Sequence, residues 1–316
     1  MPDLLAAALP VHGTVAGPAL CAFRVVLGTA LLWKITADHA FGMARFFDLR
    51  PKSLLRWRYE HDEMAVKLLL SPAAFKVFYA ARAVAVLCLP AGVLVPLAAG
   101  VVAAWCMFEF TFDRKFNTLF LGMLCLPFVV ATGTDAYLSL QSLLDASSPR
   151  AFLRPPATPH GTAPSWPQAA VVVLMFQVYW SSAWLKASSR QFTSGDALQK
   201  TFEQLAVVGA EARDGAPRDY YFPDWFTRRL ATADPAVVAR RWRLPSLAAI
   251  GVEAAVPLLL VFPVTWPAGV VAGVLMHTAF TTILPKRLVP FGLAAVGTYA
   301  LFLPPHTFVT LIEALT

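Results

Sequence analysis

Charge is what this chain has little of. Only 14% of its 316 residues are Asp, Glu, Lys or Arg, and 58% are hydrophobic. Soluble domains average about 25% charged, with 45–50% apolar even when glycine is counted. A soluble fold of this length could not hide so much apolar side chain, which excludes a soluble enzyme and a disordered chain. Cysteine is scarce as well. Cys21, Cys88, Cys106 and Cys125 all lie in apolar stretches and none forms a CxxC pair, which excludes a secreted disulfide scaffold and gives no metal-binding pattern. Several catalytic signatures are absent: HExxH, GxSxG, a Walker loop and a DDxxD-like diphosphate motif. The six histidines never recur at i+3 or i+4, so neither haem nor a di-iron centre is supported. No metal is expected.

What is present is long apolar runs, with a mean hydropathy of +0.60. They do not alternate, which argues against a transmembrane barrel. Spanning the ~30 Å hydrocarbon layer takes about 20 apolar residues as a helix. Eight stretches approach that: 18–36, 73–91, 93–111, 118–140, 168–186, 246–264, 267–285 and 288–304. The expected fold is all-α, a polytopic helical bundle of the cell membrane forming one domain over 1–316. The N-terminus lacks a basic stretch, so the first run reads as an uncleaved anchor.

Three connections have their own character. Residues 37–72 are rich in aromatic and charged side chains. Residues 149–167 carry six prolines and predict an irregular loop. The polar insert 187–245 contains Leu198, Phe202, Leu205 and Val208 at helical spacing, with Ser194 as N-cap. It also holds two basic stretches, 223–229 and 236–243, that read as surface helix on headgroups. The net charge of +7 therefore reads as contact with anionic lipid, not nucleic acid. Most Lys and Arg outside the spans follow the odd-numbered ones, against Arg150 and Arg154 on the other side. The positive-inside rule puts that basic side in the cytoplasm.

A charged group within a bilayer costs at least ~2.5–3.5 kcal/mol at its centre, so it faces a cavity or a partner. Arg24, Lys76, Arg82, Lys186, Glu253 and His277 are such groups. Lys76 reads as snorkelling to the interface. Arg82 reads equally as half of a structural ion pair with Glu253, and His277 reads equally as a packing residue. Tyr179, Ser182 and Lys186 are spaced i, i+3, i+7 and share one helix face, so they look like a cavity wall ending in an amine. An amine held out of water sheds its proton more readily and can act as a neutral base.

Four stretches carry a family resemblance: Phe23-Arg24-x3-Gly28; Phe116-Asn117-Thr118-Leu119-Phe120-Leu121-Gly122 with Tyr137-Leu138-Ser139-Leu140-Gln141; Phe176-Gln177-Val178-Tyr179 with Lys186 and Ser194-Gly195-Asp196-Ala197-Leu198; and Glu253-x3-Pro257 with His277 and Leu301-Phe302-Leu303-Pro304-Pro305. In that order the chain resembles the horizontally transferred transmembrane family, which includes the vitamin K-dependent gamma-carboxylases. The resemblance implies a reduced quinone as co-substrate, a vitamin K-like hydroquinone deprotonated by Lys186, with epoxidation and carboxylation to follow. It implies that Lys186 is the base, and Asn117 and His277 are expected to be catalytic beside it, with substrate contacts expected from Tyr179, Ser182, Arg24, Arg82, Glu253 and Gln141. A peptide or protein substrate is implied as well. The sequence departs from the carboxylases at Asn117, where they carry histidine, and at Gln141, where they carry aspartate. Their large soluble C-terminal domain has no counterpart in these 316 residues. A second reading therefore stands beside the first: a non-catalytic membrane protein serving maturation, export or immunity of a partner.

Overall fold

The computed structural model describes residues 14–40, 72–113, 116–131, 133–153, 162–164, 166–201, 235–283 and 288–302, with Thr310 and Ala314. Each expected span meets a helix. In chain order these are α1 Gly17–Ala40, α2 Pro72–Ala91, α3 Val95–Asp113, α4 Phe116–Val130, the short α5 Leu140–Asp145 and α6 Pro149–Leu153, α7 Trp166–Ser188, the short α8 Arg190–Ser194, α9 Pro235–Leu259, α10 Trp266–Ile283 and α11 Val289–Thr298. Two 3₁₀ turns, Pro263–Thr265 and Tyr299–Phe302, precede α10 and follow α11. Among the described residues the three-residue strands Thr14–Ala16 and Thr162–Pro164 are the extended elements beside the helices. The described helices fall into two compact units: α1 to α6 form one, α7 to α11 the other.

Four helical stretches are long and apolar enough to cross a membrane: Gly17–Ala37, Ala169–Ser188, Trp242–Leu259 and Pro263–Ile283. Three more are apolar but shorter, Val95–Phe110, Phe116–Val130 and Val289–Phe302. Eight full spans are thus not what the structure shows. Large apolar side chains such as Val77, Leu97, Leu185 and Leu275 are exposed on the helices, a surface that fits hydrocarbon better than water.

Two boundaries differ from the sequence expectation for physical reasons. The expected helix over 118–140 stops at Val130, so α4 has 15 residues and a rise of about 22 Å. Pro127 offers no N–H to the turn before it, and Gly133 and Leu138 both take positive φ. The chain then runs irregularly to Ser139, whose hydroxyl accepts the Ser142 N–H and caps α5. Conversely, α9 starts at Pro235, so the expected basic surface helix at 236–243 is continuous with the sixth span. Pro245 lies inside α9 without ending it. The run Leu198 to Val208 is described only as far as Thr201, with helical backbone from 196; Phe202, Leu205, Val208 and residues 41–71 lie outside the described residues.

Arg24 organises the first unit. It is fully buried in α1 and its guanidinium donates to four backbone carbonyls: Leu89 at 2.6 Å, Pro90 at 2.7 Å, Tyr137 at 3.1 Å and Leu138 at 2.7 Å. Two belong to the last turn of α2, where helix carbonyls have no intrahelical donor and carry the negative end of the dipole. The other two belong to the irregular segment after α4. Gly28, one turn below Arg24, makes the approach possible: a Cβ there would sit 2.5 Å from Pro90 Cδ. The α2 terminus is closed by Gly92 at φ 69°, with Gly92 N–H donating to the Leu89 carbonyl at 3.2 Å and Val93 N–H to that of Cys88 at 3.0 Å, a Schellman cap. A side chain at Gly92 would meet Ser139 Cβ at 2.5 Å and Arg24 Nη1 at 3.1 Å.

Arg24→Met should therefore cost about 3 kcal/mol or more, since several buried acceptors lose their donor at once. Arg24→Lys keeps the charge but loses the planar fork and should recover less than half of the loss. Thermal unfolding of the full chain in detergent measures both; equal stability of Arg24→Met and the parent would remove the guanidinium from its organising role.

Candidate functional site

The second unit gathers five of the nine candidate residues. Tyr179, Ser182 and Lys186 follow one another along α7, with Glu253 on α9 and His277 on α10. The Lys186 amine and a Glu253 carboxylate oxygen form an ion pair, and the Tyr179 phenol is hydrogen-bonded to His277 Nε2. Which of the latter two holds the shared proton depends on the imidazole tautomer. Tyr179, Glu253 and His277 are all buried, Ser182 is half-buried, and the Lys186 side chain is 26% exposed. Lys186 lies in the last turn of α7, and its amine also sits over the Phe192 ring of α8 at 5.5 Å.

The expected isolated amine is thus an amine paired with a carboxylate. The alternative Arg82–Glu253 pair does not form; two pairs stand instead, each inside one unit: Lys186 with Glu253, and Arg82 with Glu109. The sequence reading passed over Glu109. Arg82 Nη1 lies 3.6 Å from Glu109 Oε1, while Lys34 Nζ reaches Oε1 at 3.2 Å and Oε2 at 3.0 Å. The Arg82 guanidinium also stacks over Tyr79 at 4.6 Å and Trp105 at 4.3 Å. The available signal was simple: Glu109 is the lone acid in the apolar stretch before Asp113.

Tyr299 also escaped the sequence reading. Its ring lies 6.2 Å from that of His277, and His277 further touches Phe280 at 6.2 Å and Phe291 at 5.7 Å. Gly273, one turn before His277, leaves the space the Tyr299 phenol occupies, because a side chain there would collide with it. Three polar atoms here are buried without a hydrogen-bond partner among the described residues: Glu253 Oε2, His277 Nδ1 and Tyr299 Oη. Buried polar atoms of native proteins are rarely left this way, and each one calls for an explanation.

The remaining candidates lie in the first unit. Arg24 holds backbone carbonyls and Arg82 holds Glu109. Asn117 is the second residue of α4 and half-buried. Gln141 is exposed and donates to both carboxylate oxygens of Asp145, at 3.0 and 2.9 Å. It lines a cavity of about 580 Å³ together with Gly92, Asp135, Tyr137, Ser139 and Asp145. Tyr137 closes this region by donating to the Leu153 carbonyl at 2.6 Å, and burial pushes its phenol up to about 12, so it remains a donor at neutral pH. Among the described residues no three His, Cys, Asp or Glu side chains meet as a metal site would require.

Comparison with protein-family models, curated proteins and solved structures gives no match to this chain. The family resemblance stands on the residues quoted for it.

Removing one partner of the Lys186–Glu253 pair leaves the other charge buried and alone. Lys186→Met or Glu253→Gln should each destabilise the protein, by about 3 kcal/mol for the lysine change, the lower end for a buried pair because the amine is partly exposed. The double variant should lose less than the sum. Additive losses in a thermal-unfolding cycle would mean that the two groups do not interact.

Proposed function

We propose that this chain is a multi-pass protein of the cell membrane that acts on a lipid-soluble quinol or a similar hydrophobic molecule, with Lys186 as the base. The observation that carries the reading is the Lys186–Glu253 pair, placed on the same face of α7 as the Tyr179–His277 hydrogen bond. A base must be able to give up its own proton before it can accept another. In a lysine–carboxylate pair the proton has two seats, on the amine or on Glu253, so the amine is freed whenever the carboxylate takes it.

The residues suit a quinol in one further respect. Glu253 Oε2, His277 Nδ1 and Tyr299 Oη are buried polar atoms still without partners among the described residues, and a phenolic hydroxyl offers both a donor and an acceptor. A bound quinol would supply the electrons for reduction of oxygen, giving the epoxide and water in the chemistry the family resemblance implies. The protein's part is to hold the hydroxyl near Lys186 Nζ, accept its proton and exclude bulk water. Carboxylation of a peptide or protein substrate is the finer form of the same proposal. Arg24 and Arg82, by contrast, are committed to carbonyls and to Glu109, which assigns them to the fold rather than to the substrate.

Purified protein supplied with a reduced naphthoquinone and oxygen should form the epoxide, and Lys186→Ala should lower the rate about 100-fold or more, the usual scale for loss of a general base. Equal rates would take the lysine out of the chemistry. Absence of epoxide from both, with specific capture of a co-produced peptide that is indifferent to Lys186→Ala, would instead favour the non-catalytic reading.

A further inference from the structure

We propose that Glu253, Tyr179, His277 and Tyr299 form one coupled proton relay that runs inward from Lys186. The starting point is a step in burial. The Lys186 side chain is 26% exposed, while Glu253, Tyr179, Tyr299 and His277 are all buried. The groups come from α7, α9, α10 and the 3₁₀ turn after α11, so four separate elements aim their polar side chains into one region of the unit.

Two links are direct. Lys186 is paired with one oxygen of Glu253, and Tyr179 is bonded to His277. Lys186 and Tyr179 stand on one face of α7, separated by about 10 Å along the axis. The second oxygen of Glu253 is buried without a hydrogen-bond partner among the described residues, open toward a further donor. The Tyr299 ring lies against His277. The group facing Glu253 is Lys186. The groups facing His277 are Tyr179 and Tyr299, with Phe280 and Phe291 supplying only hydrocarbon.

The chemistry of the set fits a relay better than a packing cluster. A carboxyl, a phenol and an imidazole can each accept a proton on one side and release one on the other. A structural polar core is stabilising when every member is satisfied, and costly when it is not. Here Glu253 Oε2, His277 Nδ1 and Tyr299 Oη are all left open among the described residues. Open positions on groups that can each carry a proton are what transfer through intervening water or substrate hydroxyls uses.

The relay does not depend on the identity of any substrate, and its test contains none. Infrared difference spectra of the full chain in detergent micelles, recorded through an acid titration, should show a carboxylic acid C=O band that Glu253→Gln deletes. Coupled groups titrate as a set, so removing a hydroxyl from the set should move the midpoint of that band by about one pH unit in Tyr179→Phe. A smaller shift is expected in Tyr299→Phe. Trp180→Phe, altering a half-exposed neighbour on α7, should leave the midpoint where it is. Should Tyr179→Phe not fold, Glu253→Gln reports the same coupling from the other end, as a displaced titration of the His277 imidazole by ¹⁵N resonance. The relay is overturned if the Glu253 midpoint is the same in the parent and in Tyr179→Phe, or if no Glu253 band titrates. Either outcome would leave the Lys186 chemistry standing, and a failed epoxidation would leave the relay standing.

Discussion

An ion surrounded by hydrocarbon has no water to stabilise it, and this constraint shapes both units. Four of the described cations are drawn into the helix packing, and each has a partner that fits its own geometry. Arg24 spreads its guanidinium over four carbonyls. Lys34 and Arg82 converge on Glu109, and Lys186 meets Glu253. The guanidinium is the residue for the first task because its donors fan out in a plane and can serve several acceptors at once. Its acceptors are carbonyls at the end of α2 and in the segment that follows α4. One side chain of α1 thereby fixes two pieces of irregular backbone that could not otherwise lie away from water.

The apolar runs make the helices legible, because hydrocarbon demands continuous apolar length whatever the tertiary arrangement. Their ends are less legible. A proline inside an apolar run does not declare whether it will stop the helix, as near Pro127, or be carried through it, as at Pro245. The outcome depends on what satisfies the freed carbonyls, and that is a property of neighbouring elements. The Arg24-x3-Gly28 spacing was readable as a motif, but its sense lies in Pro90, more than sixty residues later. The same limit separates the ion pairs from the stripe. Helical periodicity places Tyr179, Ser182 and Lys186 on one face with no further information. It says nothing about which carboxylate on another helix will meet which cation, so Arg82 stood as an alternative partner for Glu253 and Glu109 was passed over.

The two buried carboxylates that emerged differ in a way that bears on function. Glu109 is engaged by two cations, and Arg82 is further held between aromatic rings. A group so fully engaged has little freedom to change protonation without dismantling its surroundings, which is the behaviour of a structural anchor. Glu253 has a single cation, and its second oxygen is buried and open. The unpaired atoms of His277 and Tyr299 lie in the same unit. An incompletely satisfied polar set is an energetic burden on the fold. Glu253, with one cation and an open oxygen, is the carboxylate to which the proposed chemistry is assigned, and Glu109, held by two cations, is not.

The position of Lys186 follows from the same reasoning. A base sealed completely within hydrocarbon would keep whatever proton it acquired, since no route would lead the proton out. A base standing in open water would be too well solvated as an ammonium to favour a weakly acidic hydroxyl. The last turn of α7 avoids both extremes: the amine is 26% exposed on one side and bound to a 5% exposed carboxylate on the other. Leu185 and Trp184, in the same turn, are largely exposed and give that end of α7 an apolar surface. In the proposed reading the lysine works as half of an ion pair at a boundary, and the fold's contribution is to set that boundary between Lys186 and Glu253.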